Sequence, residues 1–261
     1  MMMDNHFFHL VKYSPWPLLI ALNLINSVTS ITKFILTSSS LMSVFFVLIS
    51  VLIMIQWWRD VMRESLYEGS RSLKINYIIG SGMIFFIISE VCLFVSFFWM
   101  YFYYSLSPDM ETGSIWPPFK MTRMSFMDIP LLNTMILLMS GFFITWAHYS
   151  LTMNSFKNSS INLMMSILLG MYFLVIQGYE YMNSSISFND SVFGNSFFIL
   201  TGFHGLHVMI GLIFLIVMMS QLIEKKFSLM NLSGLEYSIW YWHFVDIVWL
   251  CLYLTVYWWG M

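Results

Sequence analysis

Seven ionisable side chains lie within or at the ends of long apolar runs: Glu90, His148, Glu180, His204, His207, His243 and Asp246. Such groups are costly away from water, so each is a candidate for proton transfer, ligation or a specific polar contact, with packing as the alternative. Glu90 is the single acid of "FIISEVCLFVSFFWMYFYY", residues 86–104. On a helix it shares an i, i+4 row with Gly82, Phe86 and Phe94, a face suited to helix packing. A neutral carboxyl can donate one hydrogen bond. The roles open to Glu90 are a proton relay, a lipid-headgroup or backbone contact, an interhelical polar lock, or a satisfied structural hydrogen bond.

"TGFHGLHVMIG", residues 201–211, places His204 and His207 at i, i+3 on one face, and Gly202, Gly205 and Gly211 are expected to allow close helix approach. "WYWHFVDIVW", residues 240–249, does the same with His243 and Asp246, a pair that can bridge locally or reach separately to other helices. Haem ligation by histidines on facing helices is chemically possible, with His148, His204, His207 and His243 as donors. There is, however, no Cys-x-x-Cys-His and no His-rich cluster with companion carboxylates, so polar contacts are favoured over a metal. In "IQWWRDVMRESLYEGSRSLK", residues 55–74, Arg59 and Arg63 stand at i, i+4 beside Asp60 and Glu64, just below two Trp. Guanidinium forks match phosphate and indoles settle at headgroup level, so this is a candidate phospholipid clamp. Arginine at a span end is also what membrane topology alone requires.

The elements that must position these groups follow from composition. Hydrophobic residues make up 59% of the 261 and charged residues 9%, against about 25% charge in soluble domains. This is the composition of a membrane protein. A net charge of −2 provides no basic surface for nucleic acid. Cys92 and Cys251 both lie in apolar stretches, too few for a disulfide framework or a thiolate metal site, and read as packing residues. The N-terminal "MMMDNHFFHLVKYSPWP" has neither a basic n-region nor a small-residue cleavage site, so the first apolar segment is expected to belong to the mature protein.

About 20 helical residues cross a bilayer core, and seven windows of that length stand out, at about 16–36, 41–58 continuing towards 66, 75–105, 129–152, 159–182, 191–222 and 235–258. They predict an all-α membrane protein, one transmembrane helical domain over 1–261, with helices 1–2 at about 16–66 and helices 3–7 at about 75–258. With the N-terminus on the synthesis side, that side collects Lys12, Arg59, Arg63, Arg71, Lys74, Lys157, Lys225 and Lys226; Lys33, Lys120 and Arg123 fall opposite. This asymmetry predicts N-in and C-out. The one sizeable loop, about 107–128, carries Pro108, Pro117 and Pro118, which exclude continuous helix and suit an ordered cap.

The stretches "SPWPL", "QWWRDVMRES", "FIISEV…FFW", "WPP", "PLLNT", "TWAHYSL", "TGFHGLHV" and "WYWHFVDIVWL…YWWG", in order from about residue 14 to the C-terminus, resemble the mitochondrial cytochrome c oxidase subunit III family. The resemblance implies seven helices with the first two packed apart from the other five, forming a V-shaped cleft that holds phospholipids. It implies a non-redox core subunit of the complex that reduces oxygen to water and pumps protons. Such a subunit stabilises the catalytic subunit and sustains proton uptake, while haem a and copper reside in partner subunits I and II and none on this chain. Accessory subunits are further implied partners. The acid matching Glu90 would lie on the third helix beside the lipid cleft, facing subunit I, as a protonated or hydrogen-bonded carboxyl holding that helix in register. Arg59, Arg63, Glu64, His204, His207 and Lys225 match lipid-contact segments of the family; His243 and Asp246 remain a buried polar pair. The implied location is the mitochondrial inner membrane with the N-terminus in the matrix, and the 24 methionines suit an organelle-encoded chain. The chain departs from the family at His148-Tyr149, where relatives often read His-His, and over "QGYEYMNSSISFND". The "YWWG" ending favours the cytochrome c branch over a quinol-oxidising relative. A function of another class, a stand-alone proton or solute transporter with Glu90, His207 and Asp246 as relay, predicts discontinuous helices or repeat symmetry, neither of which stands out.

Overall fold

The computed structural model describes residues 13–66, 73–108, 110, 113–117, 125–225 and 232–259. Lys12, Arg71, Lys120, Arg123 and Lys226, used in the orientation argument, and Pro118 lie outside the described residues. Among the described residues seven α-helices form: α1 (Trp16–Thr37), α2 (Leu41–Leu66), α3 (Leu73–Leu106), α4 (Ile129–Thr152), α5 (Phe156–Asn183), α6 (Val192–Ile223) and α7 (Ser233–Leu252), which runs on as a π-helical segment, Tyr253–Trp259. Each is long and apolar enough to cross a membrane, and no strand occurs among the described residues. The seven expected spans and their type are thus borne out. The boundaries move by a few residues, and the π-helical ending of α7 is new. α3, with 34 residues, and α6, with 32, are about 51 and 48 Å long at 1.5 Å per residue.

Local chemistry explains the ends. A proline occupies the first turn of α1 and of α4, where its missing N–H is no loss. Ser191 Oγ caps α6 by accepting from the Gly194 N–H at 3.2 Å. α1 stops at Ser38, whose left-handed backbone lets its N–H reach the Phe34 carbonyl at 2.8 Å. The many serines and threonines cost little in an apolar medium because their hydroxyls donate to carbonyls three or four residues back, as Ser27 does to Leu24 and Ser140 to Leu137.

The chain divides into two compact units, Met1–Ile79 and Gly80–Met261. In the first, α1 lies against α2, and the seam between them is polar. Asn23 Nδ2 donates to Ser50 Oγ at 2.6 Å and to the Phe46 carbonyl at 2.9 Å, while Trp16 Nε1 donates to Asp60 Oδ2 at 2.8 Å. Leu22, Ile25, Ile35, Phe45, Leu48 and Leu52 point outward. Polar-in and apolar-out is the arrangement expected where the solvent is lipid.

In the second unit α4 packs on α5, α5 on α6, α6 on α7 and α7 on α4. Trp242, fully buried, is the wedge of this core. A Cβ added to Gly170 of α5 would come within 2.6 Å of the Trp242 ring, and one added to Gly211 of α6 within 2.9 Å. Hydrogen at these two positions is what lets the indole in. The expectation for Gly211 is therefore met. Gly202 and Gly205 make no such approach within this chain, since an added Cβ there meets nothing within 4 Å, and the same holds for Gly82 in the Glu90 row.

α3 packs differently, through large rings. Phe86 stacks on Tyr241, Phe94 meets Phe244, and Phe97 meets Phe203. Tyr101 lies edge-on to Trp116, which also touches Phe193, so the described part of the 107–128 loop is held against α3 and α6.

Candidate functional site: a carboxyl and imidazole pair between α3 and α6

Glu90 from the middle of α3 meets His207 from the middle of α6, with Oε2 and Nε2 2.9 Å apart. The imidazole is 8% exposed and the carboxyl 22%. Rings surround the histidine: Phe94 at 5.0 Å edge-on, Phe244 at 6.1 Å and Tyr241 stacked at 6.4 Å. Water is thereby kept from most of the pair, and its hydrogen bond is strong because the medium is weakly polar.

The other nitrogen settles how many protons the pair carries. His207 Nδ1 lies 2.7 Å from the Phe203 carbonyl, one helical turn back. A carbonyl only accepts, so Nδ1 bears a hydrogen. Nε2 then has two states. In neutral imidazole it accepts, and Glu90 must be a protonated donor; in imidazolium it donates to the Glu90 carboxylate. Either way one proton sits between Glu90 and His207. Of the roles open to Glu90, the geometry is that of a hydrogen-bonded contact between helices, with His207 of α6 as its partner.

His204, one turn earlier, does not join this pair. It is 1% exposed, lies 3.3 Å through Nε2 from the Val245 carbonyl of α7, and sits between the rings of Phe173 and Trp249. Residues at i and i+3 point about 60° apart at 3.6 residues per turn, enough to send one histidine to α7 and the other to α3. His243 and Asp246 approach each other on α7 at 3.8 Å, beyond hydrogen-bond reach, and Asp246 is pressed against Gly141 of α4, whose added Cβ would stand 2.8 Å from Oδ2. His148 of α4 and Glu236 of α7 are likewise 3.8 Å apart. Arg59 pairs with its neighbour Asp60 at 3.0 Å and is exposed, as are Arg63 and Lys225; Glu64 is half-buried. Among the described residues no group of three or more His, Cys, Asp or Glu converges as a metal would require.

Three features escaped the sequence reading. The Trp242 wedge had a signal, the isolated Gly170 within an apolar helix. The Trp242 Nε1 hydrogen bond to Ser140 Oγ, 2.9 Å, had none, since it joins residues 102 apart. The polar cluster around Glu180 was visible only as an acid near a span end.

With the geometry in view, comparison with known proteins is decisive. The family described as cytochrome c oxidase subunit III matches residues 6–261. The chain belongs to the cytochrome c oxidase subunit III family. It is 46% identical over 257 residues to cytochrome c oxidase subunit 3 of Drosophila melanogaster, covering 98% of each chain. It is 45% identical to that of Aedes aegypti over 98% of each chain, and 42% identical to that of Heterololigo bleekeri over 97% of this chain and 98% of that one. The resemblance drawn from the short motifs is confirmed over essentially the whole length. As a member of the subunit III family the chain is a multi-pass membrane subunit of an oxidoreductase complex, cytochrome c oxidase.

Proposed function

We propose that this chain is a non-redox core subunit of the oxidase, in the mitochondrial inner membrane with its N-terminus in the matrix. It stabilises the catalytic subunit, holds structural phospholipids and sustains proton uptake, while haem a and copper sit in subunits I and II. The observation that carries the reading is family membership across residues 6–261. The Glu90–His207 pair supports a structural role: the bond ties α3 to α6 at mid-helix, where an unpartnered carboxyl would cost several kcal/mol (about 3). Lipid binding is supported by the exposed guanidinium groups of Arg59 and Arg63 beside Trp57 and Trp58, a match to a phosphate at the headgroup level. Lys225 is exposed at the end of α6 and suits the same role.

The test is purification of the complex with and without this chain, followed by reconstitution. Haem a absorbance should travel with the chain in the complex and stay with the catalytic subunit when the chain is stripped away. The stripped enzyme should turn over more slowly and inactivate sooner, with phospholipid lost in parallel. A chain isolated alone, colourless and moving protons by itself would instead support the transporter reading.

A further inference from the structure

A second polar centre lies in the bundle apart from the Glu90–His207 pair. Glu180 and Gln177 of α5, Asn133 of α4 and Tyr257 of the π-helical segment are 5%, 4%, 0% and 2% exposed. Asn133 Nδ2 donates to Gln177 Oε1 at 3.2 Å, and Glu180 faces both the Tyr257 hydroxyl and the Gln177 carboxamide. Next to them Tyr181 OH donates to Thr201 Oγ1 at 2.6 Å, and Thr201 donates on to the Phe197 carbonyl, so that branch is complete. The rest is not. Both Glu180 carboxyl oxygens, Asn133 Oδ1, Gln177 Nε2 and the Tyr257 hydroxyl have no partner within hydrogen-bond geometry.

These five buried polar atoms stand near one another without well-formed bonds between them, an arrangement that a bridging group would complete. Their chemistry says which. Gln177 Nε2 and Tyr257 OH offer hydrogens, whereas Asn133 Oδ1 and the Glu180 oxygens accept them. A cation would leave the donors unmet, and an anion would oppose the acceptors. Water donates and accepts at once and makes two to four such bonds when buried. Tyr257 belongs to the π-helical segment, a rare geometry that is frequent at functional sites. We propose that Glu180, Gln177, Asn133 and Tyr257 form a binding site for internal water, one or a few molecules bridging α4, α5 and the end of α7.

The intact oxidase complex containing this chain tests it by cryo-electron microscopy at a resolution that shows ordered water. The expected result is density about 2.6–3.2 Å from a Glu180 oxygen and from at least one of Gln177 Nε2, Asn133 Oδ1 and Tyr257 OH. Direct bonds from Glu180 to Tyr257 and Gln177 with no intervening density would overturn the proposal, and this map of the unaltered complex decides even if variants fail to assemble. Glu180→Gln should keep the density, and Glu180→Leu, of similar size but apolar, should remove it. Density unchanged in Glu180→Leu would equally overturn the assignment.

Discussion

Glu90 Oε2 and His207 Nε2 lie 2.9 Å apart although 117 residues separate them along the chain. The Phe203 carbonyl holds the hydrogen on Nδ1, so a single proton is shared across the α3–α6 contact. A pair of this kind can be neutral or ionic without any change of partners.

Substitutions at Glu90 distinguish these states. The carboxamide of Glu90→Gln can donate to a neutral Nε2, so the thermal midpoint of the purified complex should shift little, by less than about 1 kcal/mol of stability. Glu90→Ala leaves Nε2 open and should cost about 1–3 kcal/mol. If Glu90→Gln is as damaging as Glu90→Ala, the native pair is ionic. An apolar carbodiimide, which attacks protonated carboxyls, should label Glu90 in the membrane when the shared proton rests on the acid.

Two glycines of α5 should behave oppositely. Gly170→Ala drives a methyl to within 2.6 Å of the buried Trp242 ring and should destabilise by about 1–3 kcal/mol through overpacking. Gly178→Ala meets nothing within 4 Å and should be neutral or stabilise by up to about 1 kcal/mol through helix propensity. Thermal unfolding of the two variants side by side checks this.

Ser140 accepts the only hydrogen that the Trp242 indole can donate, and both residues are fully buried. Ser140→Ala should therefore cost about 1–3 kcal/mol, whereas in a Trp242→Phe background the same change should cost much less. A double-mutant cycle on complex stability measures the difference, and additivity of the two changes would refute the coupling.

Asp190, in the loop between α5 and α6, accepts from the Ser187 N–H at 2.7 Å. That bond favours the ionised acid and holds its pKa below the ordinary 3.8. The sign follows: the contact is complete above that ordinary value and is lost as the pH falls through the lower folded value. Hydrogen exchange at the Ser187 amide should be protected at pH 5 and should lose protection in stronger acid. Asp190→Asn should remove most of this pH dependence.

Much of this molecule was legible in residue order. Length and apolar composition determine seven spans, because each helix satisfies its own backbone hydrogen bonds in lipid and needs no distant partner to form. The same logic marked Glu90, His207 and Asp246 as costly, and the chain of short motifs indicated the family. What residue order leaves undecided is which costly group answers which. His204 and His207 share a face in the sequence, yet a rotation of about 60° sends them to α7 and α3. Gly211 makes room for Trp242 while Gly202 and Gly205, in the same motif, meet open space. Only the tertiary structure settles such matters. A hydrogen bond acts over about 3 Å, and the rotation and spacing of two helices far apart in the chain are set by the packing of every ring between them.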